Sequence, residues 1–364
     1  MKYAYGLLLS VFSFFVLSEL EEITVINSKW LFLPSVDQIE EEEIYFLNSH
    51  HLKELLNLSS GVWISRGSGQ ENLISLRSPV LTGPGACGSF QITEDGIPIR
   101  PAGICNVNNL FEISANLASQ VEVIKGPSSA MFGGNSLHGL INIKSLEPKD
   151  ANDIYFQIDK NESLRSRVLL RNSSNTLLGV ELDRDKGFRN QTGFDQQKMV
   201  IKNYGSFRDW SLQTLINFTN LNQETAGYID SYFHPTRIIN VNPEAYRDAK
   251  SLRIKTEISK NLDALDISLI PYIRFSSMNF IQHYLPGQPI EKNGQKSAGL
   301  FFNLLGFKVN NNSFGIGSQI EFAHVNLDQY QPDVLNSSNA FNNAVRPQGF
   351  HYDFEVKTNL IASY

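Results

Sequence analysis

Ten segments of alternating polarity, joined by connections that are short and long in turn, constrain this chain of 364 residues more than any other feature. In 210–219, Trp210, Leu212, Thr214, Ile216 and Phe218 alternate with Ser211, Gln213, Leu215, Asn217 and Thr219. In 251–259, Leu252, Ile254, Thr256 and Ile258 oppose Ser251, Arg253, Lys255, Glu257 and Ser259. From His351 onward, Tyr352, Phe354, Val356, Leu360 and Tyr364 oppose Asp353, Glu355, Lys357 and Asn359. A period of two belongs to a strand whose faces meet different surroundings, in a soluble sandwich as much as in a barrel. The connections decide between them. Strands are predicted near 154–160, 164–171, 176–183, 196–204, 209–219, 251–259, 264–275, 299–308, 313–325 and 351–362. The turns 172–175, 205–208, 260–263 and 309–312 are tight, whereas 184–195, 220–250, 276–298 and 326–350 are long. Short turns on one rim and long loops on the other are the layout of a transmembrane β-barrel with its long side outward. Only 161–163 is short where a long connection is expected.

The N-terminus agrees with an exported chain. Lys2 precedes an apolar run, Tyr3 to Leu17, too short for a membrane span and followed by a small-residue cleavage site at Val16-Leu17-Ser18. This predicts a signal peptide over 1–18 and a mature chain starting near Glu19. After residue 20 no helical stretch is long and apolar enough to span a bilayer, so any crossing is by strands.

Between these regions, 35–147 reads as one compact α/β unit. Ser49 is placed to cap a helix, His50 to Leu58, with Leu52, Leu55 and Leu56 on one face and Gly61 as its stop. GVWISRGSGQENLISLRS is a strand, a Gly-rich turn and a strand; QITEDGIPIRP is two strand halves across Asp95-Gly96, a hairpin signal. Val121 to Ile143, VEVIKGPSSAMFGGNSLHGLINI, is a β-rich run, a Gly-Pro break, a short helix, a Gly pair and a second β-rich run.

The order and wording of these pieces over about 110 residues resemble the plug domain of TonB-dependent outer-membrane receptors. Ser78, where the family usually has Gly, and His138, where a small residue is common, depart from that pattern and concern subfamily. The resemblance implies an α+β plug domain inside an antiparallel transmembrane β-barrel, 22-stranded in the family, of which about ten strands are present. It divides the chain into signal peptide (1–18), TonB box and linker (19–34), plug (35–147) and the N-terminal part of the barrel (150–364). A lumen that holds such a plug needs about 22 strands, so the chain is expected to be a fragment. Glu21, Glu22, Ile23, Thr24, Val25 and Ile26 look like a TonB box, a segment that adds a strand to TonB by backbone pairing. Its place directly after the cleavage site leaves no room for an N-terminal signalling domain.

The function implied is uptake of a scarce extracellular ligand, a ferric siderophore or similar, into the periplasm with energy from TonB, ExbB and ExbD. The alternatives are a passive or adhesive outer-membrane protein and a non-functional truncated receptor. Localisation would be the Gram-negative outer membrane, in contact with its lipid, with the plug accessible from the periplasm. Ligand contacts in the family come from apical plug loops, here Thr82 to Ser89 and Arg100 to Asn108, and from the inner wall and outer loops of the barrel. Arg100, Asn106 and Asn108 are the polar candidates on the plug; Asn is also a common turn former. In the long loops, Tyr228, Tyr232, Phe233, His234, His283 and Tyr284 are candidates to stack on or ligate a substrate, with a membrane-girdle role as the alternative. Cys87 and Cys105 are the only cysteines. In an oxidising compartment a disulfide is their default, worth about 3 kcal/mol if unstrained. A zinc pair, which lacks a CxxC or nearby His, and two free thiols are the alternatives.

Catalysis has no foothold. There is no GxSxG, HExxH or EF-hand pattern, and the glycines at Gly67-Ser68-Gly69 and Gly133-Gly134 give neither GxGxxG nor a P-loop. His50-His51 point to different faces of the helix they begin and read as a solvated start; Glu40 to Glu43 read as a solvated linker. No enzyme activity, cofactor or metal is therefore expected. A net charge of −6 without a basic cluster argues against nucleic acid as partner.

Overall fold

The computed structural model describes residues 36–82, 88–101, 107–132, 135–148, 152–160, 162–172, 175–227, 239–262, 265–283, 285, 288–309, 312–331 and 351–363. The predicted signal peptide, the hexamer Glu21 to Ile26, Cys87 and Cys105 lie outside them.

The N-terminal unit begins with β1 (Val36–Glu40), α1 (Glu41–Leu47), α2 (Leu52–Leu56), β2 (Val62–Arg66), β3 (Asn72–Leu76), β4 (Gln91–Glu94) and β5 (Ile97–Pro98). Two 3₁₀ turns, Val107–Glu112 and Ala115–Leu117, lead into β6 (Ala118–Lys125), α3 (Ser129–Phe132) and β7 (Gly139–Ser145). One sheet has the order β1-β6-β7-β4-β5, with β4 and β7 parallel, and β2 pairs with β3 as a separate hairpin. Apolar alternation drives it: Val121, Val123, Ile141 and Ile143 are buried beneath Leu55, Leu56 and Phe90. The Val121 to Ile143 segment folds as its sequence predicts, strand, short helix, strand. So does the hairpin: Asp95 and Gly96 both have positive φ, 45° and 78°, as a two-residue Asp-Gly turn requires.

Two local expectations are corrected. Glu41, Glu42 and Glu43 form the first turn of α1, where their charges oppose the helix dipole and Glu43 Oε2 accepts from Glu40 N at 3.0 Å. Acids at a helix start and acids in a linker look alike in composition. The next helix is shorter than predicted and is capped by His51, not Ser49: His51 Nδ1 accepts from Lys53 N at 3.0 Å. His51 is therefore buried, while Leu52, Leu55 and Leu56 face the core as their spacing predicts.

All ten predicted strands form. They are β8 (Asp153–Ile158), β9 (Leu164–Asn172), β10 (Thr176–Asp185), β11 (Phe194–Phe207), β12 (Trp210–Glu224), β13 (Tyr246–Leu262), β14 (Leu265–Ile281), β15 (Ile290–Val309), β16 (Asn312–Tyr330) and β17 (His351–Ser363). They make one antiparallel sheet in sequence order. Every strand that borders a long connection, except β17, runs further toward it than its apolar pattern suggested. β15, for example, starts at Ile290 and not near 299. Its first turn of sequence, IEKNGQKS, is polar on both faces, so backbone pairing continues where the alternation has stopped. The long connections shrink accordingly to 186–193, 225–245, 282–289 and 331–350.

The two faces of this sheet differ. On one face, Leu177, Val200 and Leu215 pack on Leu117 and Leu146, and Phe194, Leu221, Ala249, Met278 and Phe280 surround Phe111 of the N-terminal unit. The other face carries rows of cross-strand neighbours. Val180, Met199, Phe218 and Leu252 form its last apolar row toward the long loops. Leu182, Gln197, Asn220 and Lys250 come next, with Leu182 the one apolar member, then Arg184, Asp195, Asn222 and Asp248. At about 3.4 Å per residue the change from apolar to charged takes about 13 Å along each strand.

Candidate functional site

The N-terminal unit is held to the sheet by charged groups. Cations of the sheet meet acceptors of the small unit at three heights.

Near the long loops, Arg247 Nη2 donates to Glu71 Oε1 at 2.7 Å. The turn between β2 and β3 meets β12 there: Gln70 N donates to Gln223 Oε1 at 2.7 Å and Gln223 Nε2 to Ser68 O at 3.1 Å. Gly69, at φ +54°, is what lets the turn lie so close, because a Cβ would stand 2.5 Å from the Gln223 amide carbon.

At mid-height, Arg253 is clamped by two carboxylates. Its Nη1 donates to Glu112 Oε2 at 2.7 Å and its Nη2 to Glu112 O at 3.0 Å and to Glu94 Oε2. The remaining acceptors are used: Asn217 Nδ2 and Ser114 N donate to Glu94 at 2.6 and 3.0 Å, and Ser276 Oγ and Asn109 Nδ2 donate to Glu112, each at 2.7 Å. Beside it Arg274 donates to Pro98 O and Arg100 O at 2.6 and 2.8 Å and pairs with Glu321 at 2.6 Å. Burial raises the Glu112 carboxyl above its ordinary range although Arg253 opposes the shift.

Toward the short turns, Lys255 donates to Asp95 O, and Lys202 to Glu147 Oε1, both at 2.7 Å. Burial would raise Asp95, but the Lys202 and Lys255 charges and the Ser145 bonds bring it below its usual value. A lateral clamp fixes the turn after α1: Arg165 donates to Asn48 O and Ser49 O at 2.7 and 2.9 Å. Next to it the buried His51 ring is held near a pKa of about 4, chiefly by desolvation, so it is neutral and its Nε2–H donates to Glu71 O at 3.2 Å. His50, read as solvated, is half-buried with Nδ1 3.3 Å from Asp183 Oδ2.

Of the residues singled out as ligand contacts, Arg100 is buried, with Nη2 donating to Phe90 O at 3.3 Å; desolvation brings its pKa down to about 10. His283 is buried beside Glu71 and Arg247, and burial lowers its pKa. The structure does not bring these two together. Asn108 lies in the first 3₁₀ turn, and Asn106, Tyr232, His234 and Tyr284 lie outside the described residues, as do Tyr228 and Phe233. Among the described residues no cluster of His, Cys, Asp and Glu has metal-binding geometry. What sequence reasoning missed is the set Arg165, Lys198, Lys202, Arg247, Arg253 and Arg274. For all but Arg247, which falls in the predicted connection 220–250, the signal was present: each is a cation within a predicted strand, such as Arg253 between Leu252 and Ile254.

A small α+β unit seated by ionic contacts on the inner face of an antiparallel sheet with short and long rims defines a plugged β-barrel wall. Residues 32–140 match the TonB-dependent Receptor Plug Domain family, and the ten-stranded sheet that follows lies outside that match. Solved receptors share this fold at low identity. The pyoverdine receptor FpvA of Pseudomonas aeruginosa PAO1 is 14% identical, with 90% of this chain matched to 53% of that one at a TM-score of 0.66. For the ferric-catecholate import receptor Fiu of E. coli K12 in its open form the figures are 15%, 90%, 56% and 0.62. For the siderophore receptor PiuA of Acinetobacter baumannii they are 11%, 90%, 54% and 0.65. The chain spans about half the length of these structures.

Proposed function

We propose that the chain acts in TonB-dependent uptake of a scarce ligand, a ferric siderophore or a comparable complex, across a Gram-negative outer membrane. The observation that carries this reading is the seating of the plug on the wall by ion pairs and side-chain-to-carbonyl bonds. Such contacts hold a plug in one orientation, and water replaces them when it shifts, whereas an apolar seat would have to expose its whole surface. The apolar outer rows, the short and long rims and the plug family all support it. Energy comes from TonB with ExbB and ExbD, and the TonB partner strand is Glu21 to Ile26. Force applied there reaches β1 first, the edge strand of the plug sheet, whose pairing with β6 runs from Val36↔Ile124 to Glu40↔Gln120.

Deletion of Glu21 to Ile26 tests the reading in cells starved for iron and supplied with one ferric siderophore at a time. Binding of the ligand to whole cells should persist and accumulation should stop. Accumulation that continues undiminished would point to passive entry, and absence of binding for every siderophore tried would remove the ligand class.

A further inference from the structure

Strand β17 turns its apolar side to the lumen. Leu360 stands opposite Glu321 in the register, and Glu321 pairs with Arg274, which reaches the plug carbonyls of Pro98 and Arg100. Directly opposed residues share a face, and so do alternate ones along a strand. Val356, Phe354 and Tyr352 therefore also face inward, in steps toward the long connection 331–350. Phe354 lies about 20 Å along the strand from Leu360, well to the loop side of the level at which Arg274 holds the plug. Lipid does not account for this apolar side. On the outer face the apolar band ends at Phe322 of β16, which His324, Asn326 and Asp328 follow, and the outward residues of β17 beside them are Lys357, Glu355 and Asp353.

The inward face there is an open shelf. The rings of Tyr352 and Phe354 are nearly parallel, with an interplanar angle of 13° and centroids 6.2 Å apart, and the two residues are 47% and 39% exposed. Leu327 stands opposite Phe354 and Asn293 opposite Leu327; Gln329 stands opposite Tyr352 and Glu291 opposite Gln329. Asn293 Nδ2 donates to Glu291 Oε1 at 2.8 Å, which leaves the Asn293 carbonyl oxygen as an acceptor, and Gln282 Nε2 donates to Glu291 Oε2 at 2.6 Å. No Lys or Arg holds an inward position in these rows, and on the strands beside them Arg274 is paired with Glu321 and Arg247 with Glu71. These groups separate ferric complexes by charge. Three singly charged hydroxamates neutralise ferric iron, whereas three doubly charged catecholates leave a complex with three negative charges. Such an anion finds no counter-charge on the shelf and is repelled by Glu291. A neutral complex loses little hydration on stacking against the rings, and its amide groups can bond to Asn293 and Gln329. We propose that Tyr352 and Phe354 form a stacking shelf for a neutral, amide-bearing ferric complex of the tris-hydroxamate class, so that this wall selects its ligand by the absence of charge. The inference rests on the uptake reading and names the ligand class for it.

The test is calorimetric titration of the protein, purified from outer membranes in mild detergent, with a cyclic ferric tris-hydroxamate peptide and with a ferric tris-catecholate. The hydroxamate should bind at least about a hundredfold more tightly. Phe354→Ala and Tyr352→Ala should each weaken its binding about tenfold, the loss expected for one stacked ring. Tyr352→Lys puts a cation at the exposed end of the shelf and should weaken hydroxamate binding while strengthening catecholate binding, an exchange that a folding defect does not produce. Hydroxamate binding unaltered by both alanine substitutions would mean that the chain itself covers the rings, and overturns the proposal. Catecholate binding as tight as that of the hydroxamate in the parent overturns it too, as does a preference unmoved by Tyr352→Lys. In each of these cases a ferric complex still binds, so the uptake reading stands; absence of binding by both complexes removes the inference and counts against the uptake reading as well.

Discussion

Arg253→Leu should loosen the plug by an amount the clamp itself sets. The guanidinium is 6% exposed and its two carboxylate partners are 4% and 1% exposed. Removing it therefore leaves two carboxylates together, away from water and without a counter-ion. Breaking a buried pair from one side costs about 3–5 kcal/mol, which makes local opening about two to four orders of magnitude more frequent. The sign with pH is fixed by Glu112. Its folded-state pKa is already raised, so the folded form holds the proton more tightly than the unfolded one, and the strain is full above the raised value and relieved as pH falls through it. The gap between variant and parent should thus narrow on acidification. Hydrogen exchange at amides 93–96 and 112–114 reads the opening directly. The triple variant Arg253→Leu, Glu94→Gln, Glu112→Gln removes both signs together and should recover most of the loss. Exchange unaltered in Arg253→Leu, or a triple variant as open as the single one, would show that the ion pair does not seat the plug.

Four further outcomes are expected. His51 has a folded pKa of about 4 against 6.5, so its contribution is present above 6.5 and lost as pH falls toward 4, about 3 kcal/mol in all; His51→Asn should flatten that part of the plug's acid sensitivity in exchange measurements. Gly69→Ala adds a side chain at positive φ against Gln223 and should cost about 1–2 kcal/mol, read as faster proteolysis within 67–71. Phe218→Arg puts a charge in the last apolar row, at the edge of the band, and should destabilise membrane assembly by about 1 kcal/mol, while Asn220→Arg, one row further out, should leave heat-modifiable migration as in the parent. Cys87→Ser should weaken ligand binding if the proposed Cys87 to Cys105 bridge shapes the plug apex; unchanged affinity and stability would remove that role.

How far the sequence spoke depended on which physical effect placed a residue. Strand existence was legible wherever one face met apolar surroundings: Leu212 to Phe218 and Leu252 to Ile258 mark β12 and β13 without help. Strand ends were not. Past Gln223 or before Ser251 the outward face turns polar and on the inner face of β13 only the small Ala249 stays apolar, so the period fades while backbone pairing continues the ladder. The Asp95-Gly96 turn was legible because positive φ at two successive positions needs those residue types. His51 as a cap was not, since imidazole seldom takes that role and Ser49 is the better local candidate. Nor was the Arg253 clamp: its partners Glu94 and Glu112 are 159 and 141 residues away in the chain, so nothing local pairs them.

The placement of charge makes the contact between plug and wall different in kind from the plug's own core. Among the described residues, buried apolar contact between plug and barrel is confined to patches around Phe111, Leu117 and Ile97, while the plug's own core from Ile39 to Ile143 is continuous. A shift of the plug would therefore exchange many ionic and carbonyl contacts for water and expose little apolar surface, while disrupting the core would expose a great deal. With apolar burial worth about 25 cal/mol per Å², the interface is the weaker plane, and a pull on β1 meets the plug sheet before it meets the wall. After the Tyr45 ring beneath Arg167, the first hydrogen-bonded anchor to the wall from that end, among the described residues, is Arg165 on Asn48 and Ser49. That clamp marks where extension of β1 and α1 alone must give way to movement of the plug as a body.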